Sequence, residues 1–239
     1  MSALFDSPRA EKTPPALLGL AVLAAVLVPY SAWRIFFQTP EEEVMGFVQK
    51  IFYFHVPSAM NMFLAIVIAA VGSIGYLLKQ TDFFDNLEDS AVDLAILFGA
   101  AVLISGPLWG RKAWGAYWVW DVRLTSTLVL FLTLLATKIV RTYAGPAAKQ
   151  ITAGLTLFAV VNSLFVYVCV RIWKTTHPGP IIGPDGGGLD AAMRTTFNIS
   201  WLALTLAFVA LLWMRLRLGA LRTGVDRLHH LATEAGLDE

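Results

Sequence analysis

The chain alternates between six long apolar stretches and short polar segments. Each stretch is close to the roughly 20 residues that a helix needs to cross the hydrocarbon core of a bilayer. Each is also apolar on every side, as helices surrounded by lipid are. The predicted spans are residues 16–36, 56–78, 91–109, 122–140, 151–173 and 197–218. This pattern predicts an all-α integral membrane protein with six transmembrane helices.

The ends of these stretches allow further predictions. The acidic segment 82–89 is expected to be a loop, and Gly106-Pro107 is expected to break the third span at its end. The first stretch follows two basic residues, as the apolar part of a secretory signal would. Because it continues to Phe37, it is too long for a signal, and we interpret it as a retained span.

The composition excludes several classes of protein. Hydrophobic residues make up 57% of the 239 residues and charged residues only 15%, whereas an average soluble domain has about 45–50% and about 25%. With a mean hydropathy of +0.65, the chain does not match a soluble enzyme, a disordered chain or a secreted disulfide scaffold. A net charge of +1 gives no basic field for nucleic acid. The single cysteine, Cys169, allows no internal disulfide.

Positively charged residues indicate the orientation. Lys138, Arg141 and Lys149 lie in or beside the short connection after the fourth span, and four arginines lie at and after the end of the last span. Because cytoplasmic loops are enriched in Lys and Arg, both termini are predicted to be cytoplasmic. The predicted parts are a cytoplasmic segment at 1–15, a membrane domain at 16–218 and a solvated cytoplasmic tail at 219–239. With an even number of spans, the loops after spans one, three and five share the opposite face.

These three loops carry the unusual chemistry of the sequence. His55 closes the first loop, the third loop at 109–126 is rich in tryptophan, and His177 lies in the fifth loop. The other two histidines, His229 and His230, lie in the tail. Two imidazoles at separate helix ends, flanked by flat aromatic surface, suit an iron porphyrin that is held from both sides. Cations for its carboxylates are available at Lys50, Arg111, Lys112, Arg123, Arg171 and Lys174.

Simpler explanations exist for each of these residues. A histidine or tryptophan at a helix end is often only an interfacial anchor, Asp121 can cap the fourth helix, and Arg123 can contact lipid phosphate. An anchoring belt, however, places aromatic residues at every helix end. The concentration of aromatic residues in one loop instead favours a binding site. They are Trp114, Tyr117, Trp118 and Trp120, all within seven residues.

The third loop contains the run Trp114-Gly115-x-x-Trp118-Val119-Trp120-Asp121-x-Arg123-Leu124-Thr125-Ser126. This run closely resembles the WWD signature of the haem-handling membrane proteins of cytochrome c maturation. The six spans, the Phe-His-Val-Pro-Ser run around His55 and the His-x-Gly-Pro run at His177–Pro180 are similar to the CcmC branch of that family. Tyr117 stands where the family usually has another Trp, and its flat ring is expected to serve as well.

The resemblance implies a function and a set of site residues. His55 and His177 match the two periplasmic histidines that are the axial ligands of haem b, which is bound non-covalently. The residues that match the segment holding the haem edge and presenting it to a partner are Trp114, Gly115, Tyr117, Trp118, Trp120, Asp121 and Arg123. The implied partners, in the bacterial inner membrane, are the haem chaperone CcmE, the small membrane protein CcmD and the ATPase transporter subunits CcmA and CcmB. The sequence has no Walker A or other catalytic motif, so we expect the chain not to be an enzyme.

Three other functions fit parts of the sequence. A redox subunit that carries electrons across the membrane would need histidines near both faces, whereas both interfacial histidines share one face. A secondary transporter would carry polar groups near the bilayer midplane, for which Asn61, Asp93 and Asn162 are candidates. A structural subunit would use its tryptophan-rich loop only for docking. Haem bound to the purified protein would distinguish the haem-handling function from pure docking.

Overall fold

Each of the six apolar stretches forms one long α-helix. The computed structural model describes residues 12–173, 176–177 and 188–236. Its helices are α1 (Pro15–Phe37), α2 (Phe52–Lys79), α3 (Asp82–Trp114), α4 (Val122–Tyr143), α5 (Ala148–Ile172) and α6 (Ala191–Glu234), with short 3-10 helices at Phe47–Ile51 and Gly145–Ala147. All six α-helices are long and apolar enough to cross a membrane, and the described residues contain no β-strand. The predicted all-α, six-span fold class is confirmed.

The acidic segment that was expected to be a loop is the first part of α3. Asp82 and Asp85 lie in its first turn, where the positive end of the helix dipole stabilises carboxylates. Carboxylates further along the same segment pair with Lys138 and Arg141 on α4. Because these charges are neutralised inside the bundle, the segment continues as helix, and α3 begins well before the predicted span.

Pro107 does not end α3, contrary to the prediction. The helix continues to Trp114 with Pro107 inside it. A proline removes one backbone hydrogen bond, and transmembrane helices tolerate that loss where serine side chains and neighbouring helices compensate. The connection between α3 and α4 is therefore shorter than the predicted loop at 109–126, since only residues 115–121 lie between the two helices.

The polar segment after the last span is also helical over most of its length. Helix α6 runs without interruption to Glu234, because residues 219–234 contain no proline and several good helix formers. Asn86 of α3 holds this helix by donating to the Leu216 carbonyl at 2.7 Å. Residues 1–11 and 237–239 of the two predicted flanking segments lie outside the described residues.

Small residues let α2 and α3 pack closely. A Cβ atom at Gly72 would lie only 2.5 Å from the backbone nitrogen of Glu88, so this close approach requires glycine. The buried core continues along the same two helices and joins α4 and α6. Its members include Met62, Ile66, Phe98, Leu130 and Phe208. This packing fixes how the ends of the helices are arranged.

The helix ends meet on two faces. On one face, His55 of α2 contacts Ser105 of α3, and Trp114 of α3 contacts Thr176 beyond α5. We call this the aromatic face. On the other face, acidic residues at the start of α3 form ion pairs with cations of α4, α5 and α6. We call this the charged face.

Candidate functional site

A large cavity lies between the helix ends on the aromatic face. Its volume is about 1410 Å³, above the roughly 300–1,000 Å³ of common small-molecule pockets. Both candidate histidines, His55 and His177, line it. Much of its wall is aromatic: Phe52, Trp109, Trp114, Trp118, Tyr167 and Trp201. The cavity thus joins two histidines from distant parts of the sequence with the tryptophan-rich segment.

His55 is held against the wall formed by α3. It lies in the first turn of α2, and its Nδ1 atom is 2.9 Å from the Ser105 Oγ atom. The ring lies beside the backbone of Gly106, where a Cβ atom would be 3.4 Å from Cε1. Among the described residues, Nε2 has no hydrogen-bond partner. One ring nitrogen is therefore engaged with α3, and the other is available to a ligand.

His177 is positioned beside the tryptophan-rich segment. Its ring centroid is 6.3 Å from that of Trp109, with 37° between the planes, and Trp109 packs edge-on against Trp114 at 5.4 Å. His55 and His177 line the same cavity. Of the His-x-Gly-Pro run, residues 178–180 lie outside the described residues.

Asp121 links the start of α4 to the residue before His177. Its Oδ1 atom accepts from the Leu124 N–H at 2.7 Å, which confirms that Asp121 caps α4. Its Oδ2 atom accepts from the Thr176 N–H at 3.2 Å and from the Thr176 hydroxyl at 2.8 Å. The Trp114 indole N–H donates to the Thr176 carbonyl at 3.1 Å. Two residues of the tryptophan-rich run therefore hold the backbone next to His177.

Gly115 makes the turn that ends α3. Its φ of +77° lies in the left-handed region, which favours glycine. The Arg111 guanidinium donates to the Gly115 carbonyl and lies 5.8 Å from the centroid of the Tyr117 ring. Gly115 is not itself part of the cavity wall. Its contribution is to redirect the chain from α3 into the segment that carries the tryptophans.

The remaining aromatic residues of the run have two different surroundings. Trp118 lines the cavity, and its indole N–H is buried without a hydrogen-bond partner among the described residues. Trp120 packs edge-on against Trp118, with 5.7 Å between ring centroids, but it is 77% exposed, and Tyr117 is 59% exposed. The run therefore has an inner part on the cavity and an outer part that faces away from the bundle.

The structure separates the six candidate cations. Arg123 at the start of α4 and Arg171 near the end of α5 line the cavity. Two of the others bind backbone carbonyls: buried Lys50 donates to a carbonyl of α1, and Arg111 donates to that of Gly115. Lys112 is exposed, and Lys174 lies outside the described residues. Of the two arginines on the cavity wall, Arg123 is the one that belongs to the predicted site residues.

Three residues of the site are missed by reasoning from the sequence. Ser105 looked like part of a helix break, Trp109 like the end of a span, and Thr176 like an ordinary loop residue. Ser105 and Trp109 are four residues apart, so on a helix they share one side. Once α3 is known to continue past Pro107, this spacing places Ser105 beside His55 and Trp109 on the cavity wall, on the same side of the helix. Thr176 is recognised only through its contacts in three dimensions.

The sequence is similar to known proteins over most of its length. The profile of the family described as "Heme exporter protein C" matches residues 8–230. The protein of that name from Bradyrhizobium diazoefficiens is 33% identical over 192 residues, which are 79% of this chain and 73% of that protein. The one from Escherichia coli K12 is 31% identical over 206 residues, 82% of this chain and 80% of that protein. A mitochondrial protein of Marchantia polymorpha described as cytochrome c biosynthesis ccmC-like is 31% identical over 172 residues, 72% of each chain.

Proposed function

The chain belongs to the haem exporter protein C family, and we propose that it binds haem b non-covalently in the cavity of the aromatic face and presents it to the haem chaperone CcmE. Members of the family are haem-handling components of cytochrome c maturation, not known enzymes. Six apolar helices make this member a multi-pass protein of the inner membrane.

The observation that carries the proposal is the meeting of His55 and His177 on one apolar cavity. Imidazole is a common axial ligand of haem iron. A porphyrin also needs broad apolar walls, which the tryptophans and Phe52 provide. The cavity volume of about 1410 Å³ is large enough for a ligand above usual drug size. We assign His55 and His177 as the two axial ligands.

Polar groups on the same cavity wall also suit haem. The carboxylates of haem need cations, and Arg123 and Arg171 are both on the wall. The unpaired indole N–H of Trp118 is a buried donor that gains a partner if a carboxylate lies beside it. An apolar ligand without acid groups would leave these donors unused. The chemistry of the donor set therefore fits haem.

Release towards CcmE is assigned to the outer part of the tryptophan-rich run. Trp120 and Tyr117 are large aromatic side chains that remain exposed beside a cavity-lining tryptophan. Exposed aromatic residues are favourable anchors for a protein partner. A partner that docks on Trp120 would lie next to Trp118, which lines the cavity.

The remaining partners and the orientation follow from the family and from charge. CcmD and the ATPase transporter subunits CcmA and CcmB are the proposed partners in the same membrane, since this chain has no nucleotide-binding motif of its own. The Lys and Arg residues in the last turns of α4, the first turn of α5 and the second half of α6 favour a cytoplasmic charged face. The termini would then be cytoplasmic and the haem site periplasmic.

The ligand assignment is tested by the haem content of the full-length protein, purified in detergent from cells that make haem. A pyridine haemochrome assay is expected to give about one haem b per wild-type chain. His55→Ala and His177→Ala should each lose most of the haem, because each removes one iron ligand. The matched control is the His229→Ala, His230→Ala double variant, which changes the two exposed histidines of α6. Unchanged haem content in the His55→Ala, His177→Ala double variant would contradict the assignment of the two histidines as haem ligands.

Presentation to the chaperone is tested in the same preparation. A Tyr117→Ala, Trp120→Ala variant is expected to keep its haem but to lose covalent transfer to purified CcmE. Tyr143→Ala is the control, because Tyr143 is an exposed aromatic residue at the other end of α4, on the charged face. Normal haem transfer by the Tyr117→Ala, Trp120→Ala variant would show that these two residues are not part of the docking site.

The alternative function as a secondary transporter is not supported by its candidate residues. Asn61 donates to the Pro57 carbonyl and accepts from Thr205 of α6, and Asn162 donates to the Ser126 carbonyl of α4. Asp93 forms an ion pair with Lys138. Each is therefore engaged in holding helices together, and none of the three lines the cavity.

A further inference from the structure

The Ser105 hydroxyl, which contacts His55, has a second partner in its own helix. The Ser105 hydroxyl donates to the Ala101 carbonyl, one turn earlier in α3, at 2.6 Å. A hydroxyl has only one hydrogen to donate but two lone pairs. With that hydrogen in the shorter bond to Ala101, the Ser105 oxygen presents only lone pairs to His55 Nδ1, 2.9 Å away.

We infer that Ser105 is a positioning residue that holds His55 as the Nδ1–H tautomer and thereby directs the Nε2 lone pair to the haem iron. This inference rests on the proposed function. A neutral imidazole carries a hydrogen on one ring nitrogen only, so a hydrogen on Nδ1 leaves Nε2 as the ligating atom. Histidines that bind metals generally donate their other N–H to a fixed acceptor, which sets the tautomer and the ring orientation.

The surroundings of Ser105 make this acceptor rigid. Its hydroxyl is tied to the backbone of its own helix, so it cannot rotate without losing that bond. The His55 ring lies beside the backbone of Gly106, where a Cβ atom would be at van der Waals distance, 3.4 Å, from Cε1. One turn beyond Ser105, Trp109 packs near the His177 ring. Helix α3 therefore forms a common wall that orients both histidines.

The tautomer is measurable without haem by ring ¹⁵N NMR of the full-length protein purified in detergent and labelled with ¹⁵N-histidine. Only four histidines contribute, and His55→Gln identifies the signal of His55. We expect an unprotonated Nε2 in the wild type and a shift of the hydrogen towards Nε2 in Ser105→Ala. The control is Ser163→Ala, because the Ser163 hydroxyl makes the same kind of bond, to the Val160 carbonyl at 2.7 Å, with no histidine bonded to it.

The haem-loaded protein gives a second readout. Haem loss to excess apomyoglobin is expected to be about ten-fold faster in Ser105→Ala, at the low end of the effect of outer partners on metal binding. Ser105→Thr keeps the hydroxyl, so its haem loss should be as slow as that of the wild type. The midpoint potential of the haem should rise only in Ser105→Ala, because the His55 imidazole becomes a weaker electron donor to the iron.

The outcomes separate the two proposals. A wild-type His55 protonated on Nε2, or a Ser105→Ala variant whose NMR signals and haem loss match the wild type, overturns the role of Ser105. A wild type that shows the expected tautomer but binds no haem contradicts the proposed function instead, and leaves the assignment of the tautomer to Ser105 standing.

Discussion

Asp121 serves two neighbours through its two carboxylate oxygens. One oxygen caps α4 through the Leu124 N–H, and the other accepts both hydrogen bonds of Thr176. Asp121 therefore holds the segment that carries His177 in place. This contact explains why a carboxylate is useful at this position although it does not line the cavity.

Replacing Asp121 by Asn separates these two contacts. Asparagine caps helices as well as aspartate does, so the melting temperature of the apo-protein should change little. Its amide group cannot accept from the Thr176 N–H while its only oxygen caps α4. Haem loss to apomyoglobin should become about ten-fold faster, which corresponds to the loss of roughly 1.4 kcal/mol of hydrogen bonding. The control is Asp226→Asn on α6, and haem loss equal to that of the wild type in Asp121→Asn would argue against this role of Asp121.

At the level of single residues, the sequence predicts those whose type is unusual for a membrane protein. His55 and His177 are recognised because only four histidines exist, and the tryptophans because they are concentrated in one loop. Ser105 and Thr176 are not recognised, since these residue types are common in any helix end or loop. Their importance comes from contacts between elements, which no local pattern specifies.

At the level of elements, the spans follow from hydropathy but the full helices do not. Hydropathy finds the part of α3 that crosses the membrane and excludes its acidic start, because each charge is counted as if it were alone. The structure pairs those charges with cations on three other helices. Pro107 misleads for a related reason, since neighbouring groups compensate for the bond that it removes.

Arg141 is the centre of the ion pairs on the charged face. It pairs with Glu88 at 3.1 Å and with Asp89 at 3.0 Å, and Glu88 is only 3% exposed. Arg141→Gln would leave a buried carboxylate without its cation, which typically costs about 3–5 kcal/mol. We expect a clear fall in the melting temperature of the detergent-purified protein.

The Arg141 prediction has two controls. Lys149→Gln removes a cation from a more exposed position on the same face and should cost less than about 1 kcal/mol. Adding Glu88→Gln to Arg141→Gln should recover part of the lost stability, because the unpaired charge is removed as well. A melting temperature of Arg141→Gln as high as that of Lys149→Gln would refute the view that Arg141 stabilises the buried cluster.

At the level of the whole molecule, the bundle separates two tasks between its faces. The charged face binds α3 to α4, α5 and α6 through ion pairs, while the aromatic face keeps a cavity open between the same helices. His55 comes from the start of α2 and His177 from beyond α5, so the two histidines meet only when the bundle is assembled. In the proposed complex, both histidines bind the same haem iron.

Electron paramagnetic resonance of the ferric, haem-loaded protein tests this ligation most directly. Because axial ligands set the electronic state of haem iron, we expect a low-spin signal in the wild type. Any haem kept by His55→Gly or His177→Gly should become high-spin, and added free imidazole should restore the low-spin signal by filling the vacated position. A spin state that is the same in the wild type and in both variants would contradict axial ligation by the two histidines.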